Sequence, residues 1–232
     1  MFKTNMKQIF LSAILGVGIV ALLSGCGASG STGDKAATPT PPATNTAAET
    51  KVTKEKPIAI DKAAKTVKIY AEVNGKYFVE PTRHGVVFKD GSNGEKAFFK
   101  AWGNQNDFYD ALIEIGAKPG NNLQLTSVGV PVEGDALDVT LTWDGAGKDV
   151  TFGDIVVDTT NKGFEPKFGG NEANAESKKT GCILCLDSCP VGITSNSAHP
   201  TKDFDNKIAS FTANNKVLPS DGTPVVVTFK LK

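Results

Sequence analysis

Three cysteines lie close together late in the chain, within residues 181–192. They are Cys182, Cys185 and Cys189, in the pattern C-x2-C-x3-C, and Pro190 follows directly. Thiolates two or three residues apart on a tight turn converge on one metal ion or cluster, and a following proline has no amide to compete for their hydrogen bonds. The pattern matches the last three cysteines of the bacterial ferredoxin run, whose first cysteine is absent here.

Several kinds of chemistry remain open for these thiols. A four-iron cluster would need a fourth ligand, which could be His84, His199, a carboxylate such as Asp187, a solvent molecule or a group from another subunit. Zinc would be completed by one histidine, in a set of three cysteines and one histidine. His199 is the best-placed histidine, about ten residues after the last cysteine, so the predicted metal ligands are Cys182, Cys185, Cys189 and His199.

If the chain is exported from the cytoplasm, a different chemistry is favoured for the same loop. Close cysteines in an oxidising compartment usually form a disulfide, so the alternative is a disulfide-stabilised binding or assembly domain with one thiol left over and no redox activity. A C-x2-C pair could also exchange disulfides with a redox partner.

Other residues give weaker reasons for a site. His84 leads into a predicted strand, and we interpret it as a solvated loop residue. Asp203 and Asp205 lack the ligand ladder of a calcium loop and are interpreted as a turn or helix start. The sequence after residue 25 carries no serine-nucleophile, dinucleotide or phosphate-loop fingerprint, so we predict no catalytic residue and favour a role other than an enzyme.

The fourth cysteine, Cys26, ends a segment of a different kind. Two lysines and no acidic residue precede an almost wholly apolar run of about 15 residues, from Ile9 to Leu23, which is too short to span a bilayer permanently. The following Leu-Ser-Gly-Cys resembles the lipobox of bacterial lipoproteins. This resemblance implies that residues 1–25 are a signal peptide and that Cys26 carries palmitate-type acyl chains.

We therefore expect a lipoprotein at the extracytoplasmic face of the cell membrane. Its expected partners are the membrane, through the lipid anchor, and an unnamed protein or redox partner. Removal of residues 1–25 leaves 23 basic and 25 acidic side chains, a net charge of −2. This balance gives no reason to expect a nucleic acid.

Two segments should follow the signal peptide. Residues 26–55 are rich in Ala, Thr and Pro and contain no aromatic residue, which predicts a lipid-anchored flexible linker. Residues 56–232 should form one globular domain, with the cysteine loop at 181–192.

Two-residue alternation of apolar side chains dominates this domain and predicts sheet. The expected elements are a hairpin over 58–73 and short strands at 86–88, 96–100, 137–143 and 225–231. The segment 169–179 is interpreted as a loop.

One helix is predicted, from Gln105 to Ile115, with Phe108 and Leu112 facing the core and Gly116 ending it. The fold class is thus mainly β with one or two helices, an α+β domain with an antiparallel, sandwich-like sheet.

Three stretches resemble the YdjY-domain family of bacterial lipoproteins, some of which are described as ferredoxin-like. They are the hairpin that opens at Ile58, the helix exit Ile-Gly-Ala-Lys-Pro-Gly that ends at Gly120, and the run from Gly181 to Asn196. The resemblance implies an electron carrier or a binding domain outside the membrane.

Overall fold

The structure, a computed structural model, describes residues 51–232. The predicted signal peptide, the lipid site at Cys26 and most of the predicted linker lie outside the described residues. All the described residues belong to the same folded unit.

Residues 51–232 contain twelve strands, two α-helices and three short 3₁₀ helices. The strands are β1 (Ile58–Asp61), β2 (Thr66–Val73), β3 (His84–Phe88), β4 (Ala97–Ala101), β5 (Leu137–Thr142), β6 (Val150–Thr151), β7 (Val156–Asp158), β8 (Pro166–Phe168), β9 (Cys182–Cys185), β10 (Thr194–Asn196), β11 (Phe211–Ala213) and β12 (Pro224–Leu231). The α-helices are α1 (Gln105–Glu114) and α2 (Glu172–Lys178). The 3₁₀ helices are Gly75–Phe78, Gly94–Lys96 and Phe152–Ile155.

Within the described residues, ten strands form one sheet in the order β6-β5-β12-β2-β4-β3-β9-β10-β8, and β1 also pairs with β2. Strands β7 and β11 form a separate small sheet. The predicted α+β class is confirmed. Two pairs, β3 with β4 and β9 with β10, are parallel, which the prediction of an antiparallel sheet did not include. The connections at 89–96 and 186–193 are shorter than the dozen or more residues that usually join parallel strands. They suffice here because β3 and β9 are short, so the chain has only a short way to return to the end at which the strand began.

The hairpin at the start of the domain forms as predicted. Ile58 lies opposite Ile69 in the antiparallel pair of β1 and β2, and the Asp61 side chain accepts a hydrogen bond from the Ala64 amide in the turn. Alternate residues of β2 are buried, from Val67 to Val73. The period-2 pattern therefore assigned the buried face of this strand correctly.

The predicted helix is also confirmed, as α1. The Asn104 side chain accepts hydrogen bonds from the amides of Asn106 and Asp107, and Gly116 takes the left-handed φ of +89° that follows the helix end. The Phe108 ring lies 4.7 Å from the Phe229 ring of β12, so α1 packs against the centre of the sheet.

The segment predicted as a loop contains the second helix, α2. Its Ala and Glu residues favour a helix, and burial of Ala175 supplies the tertiary contact that so short a helix needs. Neither helix in residues 51–232 has the length and apolar character that a membrane crossing requires.

Replacement of Phe108 by alanine should lower the free energy of unfolding by about 3–5 kcal/mol, because it leaves a cavity between α1 and β12. The matched control is Ile113→Ala on the same helix, where the side chain is 44% exposed and a change under about 1 kcal/mol is expected. Urea denaturation measures both values. Equal losses for the two variants would contradict this account of the core.

Candidate metal centre

The cysteines and a histidine meet where β3 and β9 pair. Cys182 and Cys185 are the first and last residues of β9, and His84 is the first residue of β3. In this antiparallel pair Cys185 lies opposite His84, and Cys182 lies opposite Val87. The sheet therefore brings together residues that are almost one hundred positions apart in the chain.

Four side chains form a compact group at this position. The Sγ atom of Cys182 lies 3.6 Å from Nδ1 of His84, and the ligand atoms of His84, Cys182 and Cys185 all lie within 4.8 Å of one another. Cys189 lies in the same buried cluster as Cys182 and Cys185, but its sulfur is not among the three ligand atoms that lie within this distance. All three thiols are free, with no disulfide among them. His84, Cys182 and Cys185 could hold a metal ion, with the Cys189 thiol beside them.

Apolar side chains enclose the sulfur atoms. Val87 of β3 and Ala97 of β4 are buried against the three cysteines, and Val191 packs on the same cluster. Cys182 and Cys185 have no exposed surface, and Cys189 is 3% exposed. The group is therefore shielded from water, which is typical of a closed structural metal site.

The turn after β9 places the third thiol. The Cys189 amide donates a hydrogen bond to Oγ of Ser195, at 3.2 Å, and the Gly192 amide donates to the Cys189 carbonyl, at 3.1 Å. A Cβ on Gly192 would lie 3.2 Å from the Cys185 sulfur and 2.9 Å from the Ser195 hydroxyl. Glycine at this position therefore lets the turn close over the Cys185 sulfur.

Two asparagines stabilise this turn, Asn171 just before α2 and Asn174 within it. The Asn171 amide group donates to the carbonyls of Cys189 and Gly192, at 3.3 and 3.2 Å, and Asn174 donates to the Pro190 carbonyl at 2.9 Å. Asn171 has a left-handed φ of 52°, a conformation that asparagine tolerates better than most residues. Neither asparagine was predicted from the sequence, because their partners are backbone atoms.

The thiols differ in acidity because they share hydrogen bonds. Hydrogen bonds from the thiols of Cys185 and Cys189 hold the pKa of Cys182 well below its usual range, with smaller contributions from Thr180 and Asn93, and burial opposes them. Hydrogen bonds with the thiols of Cys182 and Cys189, together with burial, raise the pKa of Cys185. If one of the three thiols loses its proton, the negative charge would thus lie on the Cys182 sulfur. The side-chain amide of Asn93 points at this sulfur from 3.7 Å.

His84 is a partly buried residue at the start of a strand, so its interpretation as a solvated loop residue was wrong. Its amide donates to Oγ1 of Thr82, which in turn donates to the Lys96 carbonyl at 2.6 Å, so the start of β3 is fixed. Burial lowers the pKa of His84 to about 4. The imidazole is therefore neutral at neutral pH, which is the form that binds metals.

His199, the predicted fourth ligand, points elsewhere. Its ring has no exposed surface, and Nε2 and Nδ1 lie 3.0 and 3.3 Å from carboxylate oxygens of Asp158 and Asp203. Its contact with the cysteine loop is through the backbone, where its carbonyl accepts a 2.7 Å hydrogen bond from the Ser188 amide. His84 thus takes the place beside the cysteines that was predicted for His199.

An ion pair links β3 to the cysteine turn. Arg83 donates from Nε and Nη2 to the two oxygens of Asp187, each at 2.9 Å, and from Nη1 to Asp205 at 3.0 Å. The Asp187 side chain is fully buried. Burial raises the pKa of Asp187 to about 7, and the guanidinium acts in the opposite direction. The two-pronged contact fixes the turn relative to His84, which follows Arg83 directly.

The family of the chain follows from comparison with known proteins. The YdjY domain model matches residues 58–230, which include the complete group of thiols and imidazole. The chain belongs to the YdjY domain family. It is 42% identical over 177 residues to "Uncharacterized protein YdjY" of Escherichia coli (strain K12), an alignment that covers 75% of this chain and 79% of that protein. No solved structure matches the chain.

The predicted membership of the YdjY family is thereby confirmed. Of the predicted ligands, the structure brings Cys182, Cys185 and Cys189 together. The position of His84 just before a predicted strand was a weak signal for its role, and nothing in the sequence indicated its pairing with β9.

Replacement of Asp187 by alanine in this YdjY domain should lower the free energy of unfolding by about 1.5–3 kcal/mol, because it leaves the partly buried Arg83 guanidinium with Asp205 alone as its carboxylate partner. The matched control is Asp90→Ala, which removes the exposed pair of Lys89 and Asp90 and should cost about 0–1 kcal/mol. Chemical denaturation in one metal state gives both numbers. A loss below about 1 kcal/mol for Asp187→Ala would mean that the pair does not hold the turn.

Proposed function

We propose that the protein is a membrane-anchored, extracytoplasmic metal-binding module that holds one zinc ion. Its ligands are His84, Cys182, Cys185 and Cys189. The observation that carries this proposal is that the ligand atoms of His84, Cys182 and Cys185 lie within 4.8 Å of one another, with the buried Cys189 in the same cluster of side chains. Three cysteines and one histidine make a complete ligand set, one of the few that closed structural zinc sites use.

The spacing of the ligand atoms favours a single ion over an iron–sulfur cluster. Ligand atoms of a tetrahedral zinc site lie roughly 3.5–3.8 Å apart, given zinc–ligand bonds of about 2.0–2.3 Å. The Cys182 to His84 distance of 3.6 Å falls in this range. A four-iron cluster is much wider than one ion, so its ligand atoms would be held farther apart than the 4.8 Å within which those of His84, Cys182 and Cys185 lie.

The surroundings support a structural ion. Thiolates are soft ligands, which prefer zinc to magnesium or calcium, and four protein ligands leave no open position for a substrate. An ion here would connect β3, β9 and the cysteine turn, and would replace the hydrogen bonds among the thiols. Asn93, whose side chain points at the Cys182 sulfur, would stabilise the charge on that ligand.

The location part of the proposal rests on the N-terminal sequence. An apolar segment followed by Leu-Ser-Gly-Cys precedes a linker of low complexity. A lipid on Cys26 would hold the domain at the outer face of the membrane, and the linker would let it reach a protein partner there.

Metal analysis of the full chain, purified in detergent without oxygen, tests the metal part. We expect one zinc per chain and no acid-labile sulfide. Iron and sulfide in equal amounts, with a broad visible absorbance that bleaches on reduction, would show that the site holds a ferredoxin-like cluster instead of zinc. A chain that binds no metal after zinc addition and dialysis would overturn the proposal.

Two histidine variants test the ligand set. His84→Ala should weaken zinc binding at least about tenfold, because one of four ligands is lost. His199→Gln should keep one zinc per chain, since both nitrogens of His199 face carboxylates. Competition with a chromogenic chelator measures the affinities, and circular dichroism checks that each variant folds. Loss of zinc from His199→Gln alone would restore the ligand set that the sequence predicted.

A Cys26→Ser variant tests the anchor. Without the thiol no acyl chain can be attached, so the variant should keep residues 1–25 and fail to incorporate labelled palmitate in cells. Ser24→Ala, which leaves the cysteine in place, is the control and should be labelled like the parent chain. Equal labelling of the Cys26→Ser variant would rule out acylation at this residue.

A further inference from the structure

The three thiols are not equivalent as disulfide partners, because β9 separates two of them. Cys182 and Cys185 lie opposite Val87 and His84, three positions apart along β3. In a regular extended strand, two Cα atoms three positions apart are separated by roughly 10 Å, whereas a disulfide needs a Cα separation below about 7 Å. The pairing of β9 with β3 contains register shifts, which let the two sulfur atoms lie close together. Joining Cys182 to Cys185 would draw the two ends of β9 towards each other against its pairing with β3, although their sulfur atoms are close enough to share a metal ion.

Cys189 is free of this constraint, because it lies on the turn beyond the strand. Its amide donates to the hydroxyl of Ser195, and Ser195 is the residue opposite Cys185 in the pair of β9 with β10. Gly192, whose amide donates to the Cys189 carbonyl, lies against the Cys185 sulfur. The turn therefore folds Cys189 back onto Cys185.

The Cys182 sulfur has two polar neighbours from other parts of the chain. It faces Nδ1 of His84 at 3.6 Å and the Asn93 amide at 3.7 Å. Cys189 also has the only exposed surface of the three thiols in the described residues, at 3%. An oxidant would thus meet Cys189 first, and Cys185 is the thiol placed to react next.

We propose that the metal centre is a redox switch in which a disulfide between Cys185 and Cys189 and a bound zinc ion exclude each other. This inference rests on the proposed zinc site and adds its regulation. A disulfide would remove two of the four ligands and leave His84 and Cys182, which are too few to retain the ion.

The chemistry is two successive exchanges with a small organic disulfide. Although the first thiolate charge lies on Cys182, that sulfur has no exposed surface, so Cys189 reacts with the organic disulfide. The Cys189 thiol loses its proton, its sulfur attacks one sulfur of the organic disulfide to form a mixed disulfide, and the first organic thiolate leaves. The Cys185 thiolate then attacks the Cys189 sulfur and displaces the second. Two protein thiols are oxidised, the organic disulfide is reduced to two thiols, and the two protons from the protein go to the released thiolates.

The test compares zinc-loaded and metal-free full chain, each treated with oxidised glutathione. Zinc release is followed with a chromogenic chelator, and peptide mass mapping identifies the disulfide. We expect the metal-free chain to form the disulfide between Cys185 and Cys189 at least about ten times faster than the zinc-loaded chain, because the ion occupies both thiolates. The oxidised chain should bind no zinc until it is reduced.

Two variants serve as matched controls. Cys182→Ser should still form the disulfide, whereas Cys189→Ser should form none within the chain. A disulfide that includes Cys182, an unreactive metal-free chain, or zinc retained by the oxidised chain would overturn the switch while zinc binding stands. Failure of the reduced chain to bind zinc at all would overturn the proposed function first, and the switch with it.

Discussion

The pairing of β3 with β9 is the constraint on which the rest of the centre depends. Both strands are interior strands of a mixed sheet, so their positions are fixed by hydrogen bonds on two edges and by apolar neighbours on their faces. This pairing carries His84 to the cysteines from a distant part of the chain. Three buried thiols and a partly buried imidazole lose hydrogen bonds to water, and contacts such as that of Cys182 with His84 restore part of that loss.

The turn that bears Cys189 owes its shape to polar contacts from three directions. Asn171 donates to two of its carbonyls, the Ser195 hydroxyl accepts from the Cys189 amide, and Arg83 pairs with Asp187. Each contact gives a hydrogen-bond partner to a polar group whose burial without one would destabilise the fold. The contacts that fix this backbone are all made by the protein's own residues, so an ion that binds here would cost little further conformational entropy.

Burial and shared hydrogen bonds prepare these groups for a cation. Burial keeps the His84 imidazole neutral, because it lowers its pKa to about 4. The neighbouring thiols favour a negative charge on the Cys182 sulfur. A cation would find one ligand charged and another neutral and available, and its binding would release the remaining thiol protons. The same closeness of the sulfur atoms underlies both the proposed zinc site and its proposed oxidation.

The sequence by itself determined the local elements of this protein. The period-2 pattern of β2, the cap of α1 and the close spacing of the three cysteines all depend on residues that are neighbours in the chain. Only the tertiary structure decided which histidine lies beside the thiols. Proximity in sequence favoured His199, yet two carboxylates take both of its ring nitrogens. Strand pairing favoured His84, whose contact with Cys182 crosses 98 positions. The physical reason is that sheet register is set by the packing of whole strands, whereas sequence patterns report only contacts between near neighbours.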